Sequence, residues 1–332
     1  MLAWRVEVVT ISAMPTNWLF WVLFHVFVFA MLALDLGVFH RKARVIPFRE
    51  ALAWTAIWIA LAAIFAVLIY FFGHAMTGRL HRATRVLSLE FITGYVVEEA
   101  LSVDNLFVFL LLFRYFGVPG EYQHKVLFWG ILGALVTRAV FILTGVTLVN
   151  RFHWVIYLFG AFLVYAGAKL FVQKDEDKID PETNPVARFF RRHVAMVSDY
   201  GGGRFIVYRD GKRYATLLAL VVAVVETTDV VFATDSIPAI LAISRDPFIV
   251  YTSNVFAILG LRSLFFALAG MMKMFHLLNY GLAVILIFIG AKMLASRWWE
   301  MPTGWALAAV AGVLAVSVAL SLAFPEKEKI VG

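Results

Sequence analysis

An apolar run from about Leu217 to Ile243 carries three carboxylates, Glu226, Asp229 and Asp235, together with Ser236 and Pro238. A run of that length reads as a membrane-spanning helix, because the hydrocarbon core takes about 20 apolar residues to cross. Each ionisable group at that depth costs about 2.5–3.5 kcal/mol on insertion scales. Three in one span therefore mark a site or an ion path. The whole chain is 62% hydrophobic, well beyond the roughly 45–50% of a soluble domain. It reads as an all-α, polytopic membrane protein.

A second stretch repeats the design. Val97 to Leu106 (VEEALSVDNL) lies inside the apolar segment Phe91–Phe113. Setting Asp104-Asn105 on Asp235-Ser236 places Glu98 on Asp229, so both copies keep the same acid-to-acid interval. Further on, Phe152-His153 and Lys169 recur as Phe275-His276 and Lys292, each 123 residues later (152 to 275, 169 to 292). Arg138 and Arg262 fall between these landmarks. The chain is an internal duplication.

Hydropathy places about nine spans, near Trp18–Phe39, Ala51–Phe72, Phe91–Phe113, Val126–Val149, Trp154–Val172, Leu217–Ile243, Phe248–Met271, Leu277–Ser296 and Trp305–Phe324. Each copy then holds three spans. An odd number of crossings forces the second copy into the membrane upside down, giving two inverted three-helix repeats with the site where they meet. The expected division is a two-helix N-terminal segment (1–89), repeat A (90–172), a loop (173–214), repeat B (215–296) and a C-terminal helix with tail (297–332). The larger share of loop Lys and Arg falls on one side, so the positive-inside bias gives an outer N-terminus and a cytoplasmic C-terminus. No basic n-region with a cleavage site occupies the first 17 residues, so no removable signal is expected.

The long loop has structure of its own. Val186–Val197 alternates Arg188, Arg191 and Arg192 with Phe189, Phe190 and Met196, as a basic amphipathic helix on a lipid surface does. Arg204–Tyr214 reads as a β-hairpin turning at Asp210-Gly211. The net charge of +7 is explained by basic loops, and no nucleic-acid partner is expected.

Seven residues make nearly two helical turns. Glu98 and Asn105 thus share a face, as do Asp229 and Ser236. Pro238 leaves the Thr234 carbonyl without its helical donor, and a local unwinding there is expected. The candidate ligand set is Glu98, Asp104, Asn105, Glu226, Asp229, Asp235 and Ser236, all oxygen donors, which suits hard divalent cations. The cysteine count is zero, excluding thiolate sites. Arg138 and Arg262 are assigned to charge balance, each able to take up an acid. Glu99 has no acidic counterpart in the second copy. His25, alone on its span, is read as packed or hydrogen-bonded.

The segments EEALSVDNLFVF, ETTDVVFATDSIPAI, SNVFAILGLRSLFFALAG and YGLAVILIFIGAKML resemble the TerC family of integral membrane proteins, and most closely its bacterial Alx branch. The resemblance runs from about Phe20 to Leu294. It implies manganese export from the inner membrane and a link to alkaline-pH or tellurite stress, with Glu98, Asp104 and Asn105 in the first family motif and Glu226, Asp229, Asp235 and Ser236 in the second. The expected function is a secondary transporter that exports Mn²⁺ in exchange for protons. The ion is cargo, no prosthetic group is expected, and enzymatic activity is not. The alternatives are export of another cation such as Ca²⁺ and a metal-binding membrane scaffold of the stress response.

Overall fold

The computed structural model describes residues 18–39, 47–78, 82–152, 154–172, 185–209, 211–269, 277–298 and 301–323. Among them the chain forms α1 (Trp18–Phe39), α2 (Phe48–Thr77), α3 (Thr84–Phe116), α4 (Gly120–Arg151), α5 (Val155–Val172), α6 (Pro185–His193), β1 (Ile206–Arg209), β2 (Lys212–Ala215), α7 (Leu217–Leu241), α8 (Pro247–Ala269), α9 (Leu278–Ala295) and α10 (Thr303–Ala323). A helix stands at every apolar segment singled out in the sequence. Five of them, α2, α4, α7, α8 and α10, are long and apolar enough to cross a membrane by length and composition. Helices are what such segments must form, since backbone polar groups in lipid can be satisfied only within the segment. Large apolar side chains such as Phe29, Phe71, Val136 and Val140 stand exposed on the outside of the bundle. Lipid is the solvent that tolerates this surface.

Helix α8 lies at the centre, buried along most of its length and packed on α2, α3 and α4. Its Phe256 joins α1, α2 and α3 through Phe27, Phe65 and Phe91, with the Phe65 ring centroid 4.9 Å away. His25 of α1 donates from Nδ1 to the Trp21 carbonyl (2.8 Å), and its Nε2 meets the Tyr251 hydroxyl of α8 (3.1 Å). It is a hydrogen-bonded core histidine.

Helices α5 and α9 form the closest pair. A methyl added to Gly290 would stand 2.6 Å from the Gly160 carbonyl oxygen, and one on Gly167 would stand 2.7 Å from the Ala283 oxygen. The order of these contacts runs in opposite directions along the two chains, so α5 and α9 are antiparallel. Small residues permit this approach, as they do at membrane helix interfaces generally. Gly290→Val is expected to force the pair apart and cost about 1–3 kcal/mol, read as a lower melting temperature of the purified protein in detergent.

The loop between α5 and α7 is docked on the ends of α3 and α4. Tyr200 donates to the Phe116 carbonyl (2.5 Å) and Lys125 to the Gly203 carbonyl (2.5 Å). The β1–β2 hairpin pairs Arg209 with Lys212, and Gly211 has φ of 73°, the left-handed backbone expected at that turn. Its partner in the expected turn, Asp210, lies outside the described residues. Asp199 accepts from the Gly201 backbone (2.8 Å) and from Arg209 (2.6 Å), and these hold its carboxyl below the ordinary carboxylate range. The expected amphipathic helix is present as α6, shorter than Val186–Val197, because the chain leaves the helix after His193 to place Met196 beside Ala215.

One local expectation fails. Helix α7 runs without a break through Pro238 to Leu241. Pro238 lies in the last turn, where only one hydrogen bond, that to the Thr234 carbonyl, is forfeited. That is too small a loss to unwind a helix packed on α3 and α4.

Candidate functional site

The polar centre is built by α3, α4 and α7. Arg138 of α4 is 1% exposed and sits between two carboxylates, Glu98 of α3 (1%) and Asp229 of α7 (5%). Its Nη2 donates to Asp229 Oδ1 at 3.1 Å and its Nε to Oδ2 at 3.5 Å, while Nη1 faces Glu98 Oε1. The sequence dictates this in part. Glu98 and Asp229 are the equivalent acids of the two copies, and the guanidinium's fork can serve both at once. Buried charge without such a partner would cost several kcal/mol per ion. One turn before Asp229, the half-buried Glu226 carboxylate packs flat on Gly133 of α4, where a methyl group would overlap it.

The second half of the predicted set lies elsewhere. Asn105 of α3 and Asp235 of α7 line a cavity of about 300 Å³ between α3, α5, α7 and α9, with Thr234 and Lys169 in the same wall. Leu101, Val108, Phe232 and Leu286 supply its apolar part. Ser236 is 1% exposed, and its hydroxyl has no hydrogen-bond partner among the described residues. Pro238 leaves the Thr234 carbonyl without its helical donor, and Thr234 is a cavity residue. Asp104 lies on α3, but its side chain falls outside the described set. Arg262 is buried on α8 (3%), and Glu99 faces Gly260 of the same helix.

The predicted ligands thus separate into Glu98 and Asp229, ion-paired with Arg138 and with Glu226 nearby, and Asn105 and Asp235 in the cavity, where the structure adds Thr234. Among the described residues no three His, Asp or Glu side chains come together as a metal-binding cluster. A cation in the cavity would draw on one carboxylate, an amide, hydroxyls, backbone oxygen and water, the mixed oxygen shell that hard divalent ions accept.

Two buried acids escaped the sequence reading. Glu90, at the start of α3, is 4% exposed and bonded to Arg82 and to the Ser244 hydroxyl (2.6 Å). Asp246 is 2% exposed and caps α8 by accepting from the Phe248 (3.0 Å) and Ile249 (3.3 Å) backbone N–H groups. Asp246 had a legible signal, an Asp-Pro pair ahead of an apolar run. Glu90 had only its position near a span end, where an acid ordinarily reads as interfacial.

A helical bundle with apolar outer faces and charged residues paired in its interior is a multi-pass integral membrane protein. Within that class the chain belongs to the TerC family: residues 83–329 match the family described as "Integral membrane protein TerC family". It is 47% identical over 302 residues to "Uncharacterized membrane protein STKORF319" of Myxococcus xanthus, covering 91% of each chain. It is 44% identical over 305 residues to the "Putative membrane-bound redox modulator Alx" of Photorhabdus laumondii subsp. laumondii, covering 92% of this chain and 94% of that one. The protein of the same description from Escherichia coli K12 is 44% identical over 301 residues, with 90% and 92% covered. No solved structure gives a significant match.

Proposed function

We propose that the chain is a secondary transporter exporting divalent cations, Mn²⁺ foremost, across the bacterial inner membrane in exchange for protons. The observation that carries this reading is the cavity bearing Asp235, Asn105 and Thr234. Its wall is largely apolar, its oxygen donors Asn105, Thr234 and Asp235 come from the first helix of each sequence copy, and Lys169 of α5 is the one cation among its described residues. Intramembrane carboxylates facing a cavity are how ion pathways are built. The manganese assignment rests on the family resemblance, since oxygen ligands alone also admit Ca²⁺ and Mg²⁺.

Alternating access needs two halves that rock about a shared site. The antiparallel α5–α9 pair supports inverted repeats of α3–α5 and α7–α9. So does the pairing of helices: exchanging the two copies turns α3·α8 into α7·α4, and both pairs are in contact. In this reading α1–α5 and α7–α10 make nine crossings, with the α6–hairpin loop cytoplasmic. Glu98, Asp229 and Arg138 form the pivot, and Asp235 with Asn105 and the equivalent Asp104 holds the ion. Carboxylates that release a cation in a low-dielectric site take up protons in its place, which couples the two fluxes.

Two of the relatives named above carry a redox description. The absence of cysteine means that no redox role of this chain can run through its own thiols.

The test is total cell metal by elemental mass spectrometry. A host lacking the gene, supplied with the wild-type chain under manganese load, is expected to hold less manganese than the same host with an empty vector. Equal manganese, with another divalent metal lowered instead, would move the assignment to that metal.

A further inference from the structure

A second cavity, about 430 Å³, opens at the other end of the α5–α9 pair, and Arg82, Glu90, Ser244, Arg245, Lys292 and Ser296 supply its polar wall. The two cavities take opposite ends of the same helices. On α9 the first uses Leu282 and Leu286 and the second Lys292 and Met293, with Ser296 at the helix's C-terminal cap; on α5 the first uses Phe162 to Leu170 and the second Ile156. At 1.5 Å per residue, Leu282 and Ser296 are about 21 Å apart along the axis. Each cavity also holds one of the duplicated lysines, Lys169 in the first and Lys292 in the second. The duplication has therefore placed equivalent cations at two ends of one bundle.

Among the described residues, Glu90 is the only carboxylate in the second cavity's wall. It is buried, yet its charge is met by an arginine from outside its helix. Arg82 precedes α3, is about one-third exposed (35%), and grips Glu90 with both terminal nitrogens, Nη1 at 3.1 Å from Oε2. The Ser244 hydroxyl, from the α7–α8 turn, donates to the same Oε2 at 2.6 Å. Lys292 points its ammonium at the Ala242 carbonyl, 3.5 Å away. The Glu90 carboxylate thus bridges Arg82 of the α2–α3 connection and Ser244 of the α7–α8 turn at the cavity, and the Arg82 side chain that grips it is partly exposed.

We propose that this second cavity is the far mouth of the transport route, where a departing divalent cation rests on Glu90 and is displaced by the tethered guanidinium of Arg82, which closes the mouth behind it. The inference rests on the export reading. Glu90 and the Ser244 hydroxyl offer a cation few ligands, and a site at an exit must bind weakly enough to let go. Lys292 and Arg245 add positive charge around it, which shortens the stay and opposes re-entry from outside.

The natural absence of cysteine makes access measurable in the intact protein. S244C is timed against a membrane-impermeant maleimide applied from each face of membrane vesicles, with R245C and T234C as reporters of the two mouths. S244C is expected to react only from the face that reaches R245C, opposite to the face that reaches T234C. Adding R82Q is expected to speed its reaction about tenfold or more, the worth of a lost charge-assisted bond. R82K, which keeps the charge and loses the fork, should fall between. Manganese chloride is expected to slow labelling in the S244C/R82Q protein, and E90Q to remove that protection. A rate indifferent to both Arg82 variants overturns the latch. Absent manganese protection, or protection that survives E90Q, overturns Glu90 as the resting carboxylate. Entry of label at S244C and T234C from one face overturns the far mouth. These readouts report access and occupancy rather than flux. A protein that shows the expected labelling and moves no manganese would sink the export reading and leave the mouth and latch standing.

Discussion

Replacing Arg138 by Gln is expected to destabilise the protein by on the order of 3–5 kcal/mol, the cost of leaving buried charge without its partner. Glu98 and Asp229 are 1% and 5% exposed, and both depend on the one guanidinium. Without it, two carboxylates face each other in a medium that neither solvates nor screens them. The expected readout is a large fall in melting temperature in detergent, with loss of the monodisperse peak in size-exclusion chromatography. The triple variant Glu98→Gln/Asp229→Asn/Arg138→Gln removes every charge of the group and should recover much of the loss, because a neutral hydrogen-bonded cluster avoids the desolvation term. If Arg138→Gln melts with the wild type, the three residues do not form a pivot.

The opposite outcome is expected at the cavity. Asp235→Asn keeps size and hydrogen-bonding capacity but removes the charge that a divalent ion needs. Affinity in oxygen sites follows the charge count of the ligands, so about tenfold or greater loss of manganese export is expected for this change. Asp235 is only half-buried and lines the cavity, so the melting temperature should fall far less than for Arg138→Gln. Asn105→Ala removes a neutral ligand and should weaken transport less. A stable Asp235→Asn protein with full export would disqualify the cavity as the ion site. A variant that fails to fold would instead place Asp235 with the structural charges.

The contrast between these two variants also shows where sequence reasoning runs out. The apolar runs predicted the helices because span length is a local property; Trp18–Phe39 and Leu217 are helix limits in both readings. The hairpin was legible because Asp210-Gly211 offers the backbone its turn requires. What each acid faces is not local. Glu98 and Asn105 share a helix face, yet they lie about 10 Å apart along the axis, so α4 meets the first and the cavity meets the second. The sequence could supply Arg138 as a partner for some acid but could not say which, since helix packing decides it. Pro238 misled because a proline's effect depends on how many turns follow it and on the packing that holds them. Glu90 was passed over because a lone acid near a span end looks interfacial, and only the fold brings Arg82 and Ser244 to it.

The most direct measurement of the central claim is manganese movement into inside-out proteoliposomes containing the purified chain, with an imposed proton gradient, for the wild type and Asp235→Asn. Uptake by the wild type that falls when the gradient is collapsed, and near-background uptake by Asp235→Asn, is the predicted result. Wild-type uptake no faster than protein-free liposomes, in a preparation that binds manganese, would contradict it and leave a membrane protein that holds the metal without moving it.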